Sequence, residues 1–182
     1  MKYIKLFFCF FCVQLLITAC DKPETVLYQD NTTAMKADKS TWTATADSET
    51  PPGWENTGKA SATIDGNIAT YWHTDYSVVV PFPHWLLIDM KEEKNIISID
   101  ITNRQAASPN TAGMKKFKLE FSKDGTTFTD GGEHLFAITN APQSYPVSSA
   151  NAYRYIKITA LEPQRVGQAH TFLAEVDVFV TK

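Results

Sequence analysis

Hydrophobic and polar residues alternate with a period of two in several short segments beyond about position 40. The alternation is clearest in residues 97–102, 116–121, 154–160 and 176–181. Because successive side chains of a β-strand point to opposite faces of a sheet, each segment is predicted to be a strand with one buried and one solvent-facing side. Helical periodicity is hard to find in the same region. The pattern therefore predicts an all-β domain.

Three further segments are predicted as strands on weaker grounds. Residues 85–90 are nearly all apolar, as expected of a strand covered on both faces, and residues 41–46 and 136–139 are shorter candidates. Trp72 and Trp85 lie beside strand-like apolar positions, so both are assigned to the core. Glycine, asparagine, aspartate and proline cluster into predicted turns at 108–110, 123–125, 130–132 and 140–142. Seven or so short strands with this spacing predict a two-sheet antiparallel β-sandwich with its loops at the ends.

Composition limits the number of domains and the kinds of partner. With 182 residues, of which 43% are hydrophobic, the chain can form the core of one ordinary domain and hardly two. Its formal net charge of −3 gives no indication of nucleic-acid binding. The sequence contains no G-x-S-x-G, H-E-x-x-H or phosphate-binding glycine motif, and glycoside hydrolysis would need two carboxylates facing each other. The chain is therefore expected not to be an enzyme.

The first 20 residues are predicted to be a signal peptide. Lys2 and Lys5 form a positive region, and residues 6–17 form an apolar run that is too short to span a bilayer comfortably. The sequence Leu-Ile-Thr-Ala-Cys ending at Cys20 resembles the bacterial lipobox, whose cysteine is lipidated and becomes the new N-terminus. The alternative is ordinary secretory cleavage beside Ala19. All three cysteines lie at or before position 20, so no disulfide is expected in the mature domain.

Residues 21–39 are polar and are predicted to form a tether between the leader and a domain at residues 40–182. Several acyl chains on one cysteine would anchor the protein firmly, because each buried methylene contributes about 0.8 kcal/mol. The membrane is thus an expected partner through the lipid anchor only. The expected location is the bacterial outer membrane, lipid-anchored at the cell surface, and a periplasmic orientation stays open as the alternative.

The segment 62–74, A-T-I-D-G-N-I-A-T-Y-W-H-T, has the makings of a cation site. Asp65 and Thr70 offer side-chain oxygens, Gly66 allows a tight turn between them, and the carbonyls of Ala62 and Asn67 can point inward. Hard cations such as calcium prefer oxygen ligands of this kind. The alternative is that Asp65 only caps the turn.

Six motifs in a fixed order extend this observation over most of the chain. They are I-D-G-N-I-A-T-Y-W-H-T at 64–74, P-H-W-L-L-I-D-M at 83–90, N-R-Q at 103–105, F-S-K-D-G-T-T-F at 121–128, R-Y-I-K-I at 154–158 and L-A-E-V-D-V-F at 173–179. Together they resemble the discoidin, or coagulation factor 5/8 type C, superfamily over residues 41–181. Within it, W-H-T is most similar to the bacterial family 32 carbohydrate-binding modules. The resemblance implies the jelly-roll topology of galactose-binding-like domains.

The resemblance also implies a structural calcium ion between the first loop and the last strand. Side-chain oxygens of Asp65 and Thr70, the Glu175 carboxylate and three carbonyls would hold it; the complete set is Ala62, Asp65, Asn67, Thr70, Ala174 and Glu175. Two carboxylates with neutral oxygens suit calcium better than zinc, since the mature chain has no cysteine and no close histidine pair. The alternative is that Glu175 faces water at a strand edge.

A sugar site is implied on neighbouring loops. The positions that match the polar sugar contacts of galactose-type members are His73, Arg104 and Asn110, with Tyr76 as one wall and Trp54 within reach of the same rim. The alternatives are a salt bridge with a nearby acid for Arg104 and a hydrogen bond that fixes the loop for His73. Many members carry an aromatic platform five residues before the metal glutamate. This chain has His170 there and Phe172 two residues later, so Phe172 either takes over the stacking or packs under the loop.

The predicted function is therefore a non-catalytic, calcium-stabilised surface lipoprotein that recognises glycan termini of the galactose type or amino sugars. A monomer is expected, with a glycan or glycoconjugate as partner and no nucleic acid. Weak binding by one module would gain strength from many copies on a surface. The alternative function is an adhesive module that binds a protein or lipid through the same loops, because the fold alone does not decide the ligand.

Overall fold

The computed structural model describes residues 34–51 and 58–182. The predicted signal peptide, the lipidation site Cys20 and Trp54 lie outside the described residues. The predicted tether lies partly inside them, and its boundary is wrong: Ala34–Lys36 form a strand paired with Phe179–Thr181. The domain therefore begins before position 40. In the described ranges, no helix has the length and apolar character needed to cross a membrane.

The described residues form an antiparallel β-sandwich of eleven strands with a short 3-10 helix at Ala60–Ile64. The strands are β1 Ala34–Lys36, β2 Thr43–Ala46, β3 Trp72–His73, β4 His84–Lys94, β5 Ile96–Thr102, β6 Met114–Ser122, β7 Thr129–Leu135, β8 Gln143–Pro146, β9 Tyr153–Pro163, β10 Phe172–Leu173 and β11 Glu175–Thr181. One sheet has the order β1-β11-β5-β8, the other β2-β4-β9-β6-β7, and β3 pairs with β10.

The core lies between the two large sheets, and the period-two pattern decides which side chains enter it. Ile99 and Ile101 of β5 face the core from the four-stranded sheet, and Phe117 and Leu119 of β6 face it from the five-stranded sheet. Strands β9 and β11 alternate in the same way. The four strands predicted from this alternation are confirmed.

Strand β4 differs from its prediction as a strand covered on both faces. Leu86, Ile88 and Met90 are completely buried, whereas the alternate positions Trp85 and Leu87 are only half-buried on the outer face of the sheet. The assignment of Trp85 to the core is therefore wrong, while Trp72 is a core residue. A uniformly apolar run conceals the alternation that a polar outer face would reveal.

The prediction of a strand at 136–139 is also wrong. The strand is Thr129–Leu135, which includes Gly131 and Gly132 at a predicted turn. A Cβ at Gly131 would collide with the Phe121 ring of the neighbouring strand, so this glycine allows close approach of β7 to β6. A glycine pair that serves strand packing has the same sequence signature as a turn.

Three connections meet at one end of the sandwich and are held together by hydrogen bonds. Thr74 N–H donates to Thr171 O over 3.0 Å, and Gln164 N–H donates to Gly113 O over 2.8 Å. We call this end the loop face, defined by residues 71–83, 103–113 and 164–172. Backbone bonds between the loops fix their relative positions, which a binding surface built from several loops requires.

Candidate functional site

The centre of the loop face is a pair of cross-strand neighbours. His73 ends β3 and lies opposite Phe172 of β10, with ring centroids 5.4 Å apart. Trp72 and Leu173 form the next pair and are buried in the core. Because side chains alternate along a strand, this pairing directs His73 and Phe172 away from the core and towards the loops.

Arg104 lies across the same cluster. Its guanidinium carbon is 4.1 Å from the centroid of the Tyr71 ring and 5.8 Å from that of Phe172. Both distances lie within the range of cation–π contacts. The Arg104 N–H donates to the side-chain oxygen of the buried Asn103 over 2.8 Å, which fixes the backbone from which the arginine extends.

Tyr76 and His170 both lie against His73. The Tyr76 ring meets the His73 ring edge-on, with centroids 5.6 Å apart, and His170 lies 6.1 Å from His73. Tyr76 and His170 are half-buried, whereas His73 is only 7% exposed and its Nδ1 lies against the Thr74 carbonyl. His73 is therefore a buried residue that packs against the more exposed Tyr76 and His170 and can orient them.

The structure brings His73, Tyr76, Arg104 and Phe172 together, as the sequence predicts. Two of the predicted sugar-binding residues, Phe172 and Asn110, also make contacts within the protein. Phe172 is 4% exposed, which favours packing under the loop over service as an open stacking platform. The side chain of Asn110 accepts the Ala112 N–H over 3.0 Å, and a Cβ added to Gly113 of the same loop would lie 3.1 Å from the Phe172 ring.

Two groups of residues on the loop face were missed by the sequence analysis. Tyr71 is one, although its position two residues before His73 places it on the same side of the chain. The other is a set of exposed valines, with Val79 81% exposed, accompanied by Val78, Val80 and Val166. A run of three valines resembles a core strand in sequence, so only the fold reveals its exposure.

Buried His84 links the valine segment to the neighbouring loop. Its Nε2 lies 3.1 Å from Val80 O and 2.8 Å from Ala169 O, and its Nδ1 lies 2.8 Å from the Asp47 carboxylate. The imidazole thus contacts three connections at once. His84 is a structural residue of the loop face that the sequence analysis did not identify.

The predicted cation loop is closed by its own side chains. Asp65 accepts the Asn67 N–H over 2.8 Å, and the Thr70 hydroxyl lies 2.7 Å from the second Asp65 oxygen. The same hydroxyl lies 2.7 Å from the Asn67 carbonyl. Three of the predicted oxygen ligands thus lie together, those of Asp65, Asn67 and Thr70, and Asp65 acts as a turn cap as the alternative supposed.

Glu175 does not face water at a strand edge. It is 3% exposed in β11, which lies between β1 and β5. One carboxylate oxygen pairs with Lys39, which also contacts Asp177 over 2.6 Å. Burial raises the pKa of Glu175, the Lys39 ammonium opposes the shift, and the negative charge of nearby Asp65 adds to it.

The second carboxylate oxygen of Glu175 is buried and has no hydrogen-bond partner within the described part of the chain. An unpaired buried oxygen of this kind requires an explanation.

An adjacent cleft of about 510 Å³ is lined in part by Lys39, Ile64 and Asp65. Among residues 34–51 and 58–182, no group of three or more His, Cys, Asp or Glu side chains converges on a common point. Two carboxylates with carbonyl and hydroxyl oxygens fit the donor set that calcium accepts.

Sequence comparison finds the same region in a known family and in larger proteins. Residues 43–175 match the family model of the F5/8 type C domain. A sialidase of Micromonospora viridifaciens is 34% identical over 125 residues, covering 66% of this chain and 18% of that protein. A galactose oxidase of Gibberella zeae is 27% identical over 144 residues, covering 78% of this chain and 20% of its own. The chain thus spans about a fifth of the length of these curated relatives.

Structural comparison finds modules that match over almost their entire length. The family 32 carbohydrate-binding module of NanJ from Clostridium perfringens, in complex with galactose, has a TM-score of 0.68 and 28% identity, covering 81% of this chain and 99% of the module. The C-terminal domain of a chitobiase from Bacteroides fragilis has a TM-score of 0.71 and 32% identity, with coverages of 81% and 98%. CpGH89CBM32-5 from Clostridium perfringens, in complex with GalNAc-β-1,3-galactose, has a TM-score of 0.70 and 27% identity, with coverages of 80% and 100%. The sandwich therefore has the galactose-binding-like jelly-roll fold of these modules.

Proposed function

Because the chain belongs to the F5/8 type C domain family, we propose that it is a non-catalytic carbohydrate-binding module that recognises glycan termini through its loop face. The observation that carries the proposal is the placement of Arg104 over Tyr71, beside His73 and Phe172. The galactose and GalNAc-β-1,3-galactose complexes of similar modules support a terminal galactose-type sugar or amino sugar as the ligand.

Sugar binding at this cluster would rest on aromatic rings and on hydrogen-bond donors held in fixed positions. Half-buried Tyr71 and Tyr76 can cover the apolar C–H face of a pyranose, while Arg104 and His170 can donate to its hydroxyls. The contact with Tyr71 holds the Arg104 side chain before ligand arrives. Part of the entropy cost of ordering a long side chain is therefore met in advance, which favours affinity.

A binding role fits this cluster better than hydrolysis. Glycoside hydrolysis requires a carboxylic acid with a raised pKa opposite a second carboxylate. The nearest acid in sequence to His73 is Asp75, whose pKa is lowered by hydrogen bonds from the Ser77 side chain and backbone. Asp75 is thus suited to closing a turn, and the activities of the longer relatives are not assigned to this chain.

We extend the proposal to a structural calcium ion. The oxygens of Asp65, Asn67 and Thr70 would hold it from the loop, and the unpaired oxygen of Glu175 would hold it from β11, with the Ala62 and Ala174 carbonyls. The ion would supply positive charge to two nearby carboxylates and connect the loop to the last strand. Calcium at a hundred times its dissociation constant would add about 2.7 kcal/mol to the free energy of unfolding.

The same proposal includes a lipid anchor at Cys20 and display on the bacterial outer membrane as a monomer. The support is the sequence of the leader, which ends in a lipobox-like motif. Metabolic labelling with a clickable fatty acid is expected to label the wild-type chain and not a Cys20→Ala variant. Protease treatment of intact cells would then separate surface display from a periplasmic location.

The direct test is a glycan array with the chain from residue 21 onward, run with calcium and again with chelator. Galactose-type or amino-sugar termini are expected to bind, and Arg104→Ala or His170→Ala to reduce binding at least tenfold. Lys123→Ala is the control, because Lys123 is an exposed cation in the turn after β6 and lies outside the loop face. An array without signal from a folded protein would reject the proposal.

One observation favours the alternative function, adhesion to a protein or lipid partner. Val79 and Val166 are highly exposed on adjacent loops that His84 connects. Single exposed apolar residues are common, but a group of them can mark an interaction surface. If the array stays blank and Val79→Asp with Val166→Asp abolishes attachment to cells or vesicles, the adhesive function replaces the glycan-binding one.

A further inference from the structure

A shallow cleft lies away from the loop face, on the outer side of the five-stranded sheet. Its volume is about 200 Å³, and it is lined by Trp85, Leu87, Gly125, Phe128 and Lys157. Ligand sites for drug-sized molecules usually measure roughly 300–1,000 Å³. A single sugar ring is closer to the size that this cleft accepts. We call it the flank cleft.

The sequence constructs the flank cleft from two strands and one turn. The alternation of β4 directs Trp85 and Leu87 outward, and the antiparallel register places Leu87 opposite Lys157 of β9. The turn between β6 and β7 supplies the third side. In that turn, the Asp124 carboxylate accepts the N–H groups of Thr126 and Thr127, each over 2.8 Å.

These hydrogen bonds pre-form the cleft. They hold the turn that leads directly into Phe128, so the Phe128 ring has a defined position opposite the sheet. Trp85 presents an indole that the core does not cover, unlike Trp72. Indole and phenyl faces are the surfaces on which the C–H side of a pyranose packs in preference to water.

The lining of the flank cleft carries a positive charge, which favours a negatively charged ligand. Lys157 is the charged residue among the lining residues, and its Nζ lies 5.4 Å from the Phe128 ring centroid. Its nearest carboxylate partner is Glu120, at 3.9 Å. Glu120 is also contacted by Lys118 at 3.1 Å and by the Thr159 hydroxyl at 3.4 Å.

The acidic partner of Lys157 is therefore shared, and the ion pair between them is long. An ion pair of this length between two partly exposed side chains contributes little. The ammonium near the Phe128 ring, in a cleft that Trp85 also lines, is complementary to a ligand with an apolar face and one negative charge. A sugar ring that carries a carboxylate has both features on one small molecule, and a carboxylate accepts strong charge-assisted hydrogen bonds from an ammonium group.

We propose that the flank cleft is a second glycan-binding site, which takes a uronic-acid residue with its ring on Trp85 and its carboxylate at Lys157. This site shares no residue with the cluster of Arg104 and His73. Its occupancy is independent of the function proposed for the loop face. A chain with both sites would contact one polysaccharide at two points, or two glycans at once.

The test uses two ligands that differ at one carbon, methyl β-D-glucuronide and methyl β-D-glucoside, titrated into ¹⁵N-labelled protein from residue 21 onward. The Trp85 indole signal is assigned from its loss in Trp85→Phe. The glucuronide is expected to shift this signal saturably, with an affinity about tenfold above that of the glucoside.

Three variants test whether Lys157 in the flank cleft selects the acid. Lys157→Gln keeps most of the side chain and is expected to abolish the preference for the glucuronide. Lys116→Gln removes a lysine of the same sheet face that neither lines the cleft nor contacts Glu120, and should leave the preference intact. Arg104→Ala should leave the Trp85 titration unchanged even if it abolishes all binding at the loop face.

Several results would overturn the proposal. Equal shifts of the Trp85 signal by both ligands would show that the site does not select a carboxylate. Retention of the preference in Lys157→Gln would assign it to another group. Shifts confined to signals of the loop face, with the Trp85 indole unmoved, would reject the flank cleft as a sugar site whatever the loop face binds.

Discussion

The guanidinium carbon of Arg104 lies 4.1 Å above the Tyr71 ring, on loops that are distant in sequence. The contact connects the loop after β5 to the segment that enters β3. It fixes the direction of several hydrogen-bond donors at the centre of the loop face. The pair adds a side-chain contact to the backbone hydrogen bonds that hold the loops of the candidate site together.

Replacing Arg104 by lysine should separate charge from shape. Lysine keeps the positive charge but lacks the planar fork that can donate two parallel hydrogen bonds. We expect Arg104→Lys to lower affinity for the cognate glycan about tenfold in isothermal titration calorimetry, while the melting temperature changes little. Wild-type affinity in Arg104→Lys would mean that a positive charge suffices at this position and that the planar fork is not used.

Gly113→Ala should displace the buried Phe172 ring and so disturb the loop face. The residue has φ +87°, and an added Cβ would lie 3.1 Å from the Phe172 ring. We expect a loss of roughly 1–3 kcal/mol in the free energy of unfolding, measured by chemical denaturation. Glycan affinity should fall as well, because Phe172 also contacts His73 and Arg104.

The matched control is Gly167→Ala, where φ is +81° but nothing lies within 4 Å of the added carbon. It reports the cost of backbone strain without the contact. Gly113→Ala should therefore be the more damaging of the two, and equal losses in both would argue against a role for the contact with Phe172.

The ion pair between Asp89 and Arg154 should make stability depend on acid pH. Arg154 contacts both Asp89 oxygens, at 2.8 and 2.9 Å. Its hydrogen bonds, assisted by the Lys91 N–H and side chain, hold the pKa of Asp89 well below the usual range. A carboxyl group whose pKa is lower in the folded state stabilises above its unfolded pKa of about 3.9, and this stabilisation is lost as pH falls.

We therefore expect Asp89→Asn to cost about 1 kcal/mol at pH 7, given the partial solvent exposure of Arg154. The difference between variant and wild type should shrink as the pH is lowered from 5 towards 2. Denaturant titrations across this range would measure it. A difference that stays constant with pH would mean that the ion pair is not the source of the effect.

Calcium should raise the melting temperature of the wild-type chain by several degrees and leave Glu175→Gln unaffected. The reason is the buried Glu175 oxygen that has no partner in the described residues. Differential scanning fluorimetry with calcium and with chelator would measure both. Glu93→Gln is the matched control, because Glu93 is an exposed glutamate that does not line this cleft. Identical melting curves with and without calcium in the wild type would contradict a structural ion.

The fold could be predicted well where one face of a strand is wet and the other is buried. β5 and β6 have that alternation, so their core positions are visible in the sequence. In the segment around Trp85, both faces are apolar and the alternation disappears, although the fold treats the faces differently. The requirement for glycine at position 131 is not visible in the sequence either. It arises because a Cβ there would collide with the Phe121 ring of the adjacent strand.

Most residues of the candidate site could be predicted from the sequence, but the contacts between them could not. The motif around His73 and the position of Arg104 indicate a sugar site through resemblance. The stacking of Arg104 on Tyr71 and the burial of Phe172 depend on how separate loops pack together. Exposure of the valines near position 79 was likewise decided by the fold, because an isolated apolar run does not reveal which side of the protein it occupies.

The short strand β1 has a mechanical consequence. Its three exposed residues pair with the end of β11, and Lys36 adds a contact to Asp177. Tension applied to the chain before Ala34 would load this ladder ahead of the core and could peel it open residue by residue. Peeling would meet a stronger hold at Lys39, whose ammonium is enclosed by Glu175 and Asp177. The paired length that resists this peeling is only about 10 Å, three extended residues at roughly 3.4 Å each, so β1 would yield before the sandwich itself bears the force.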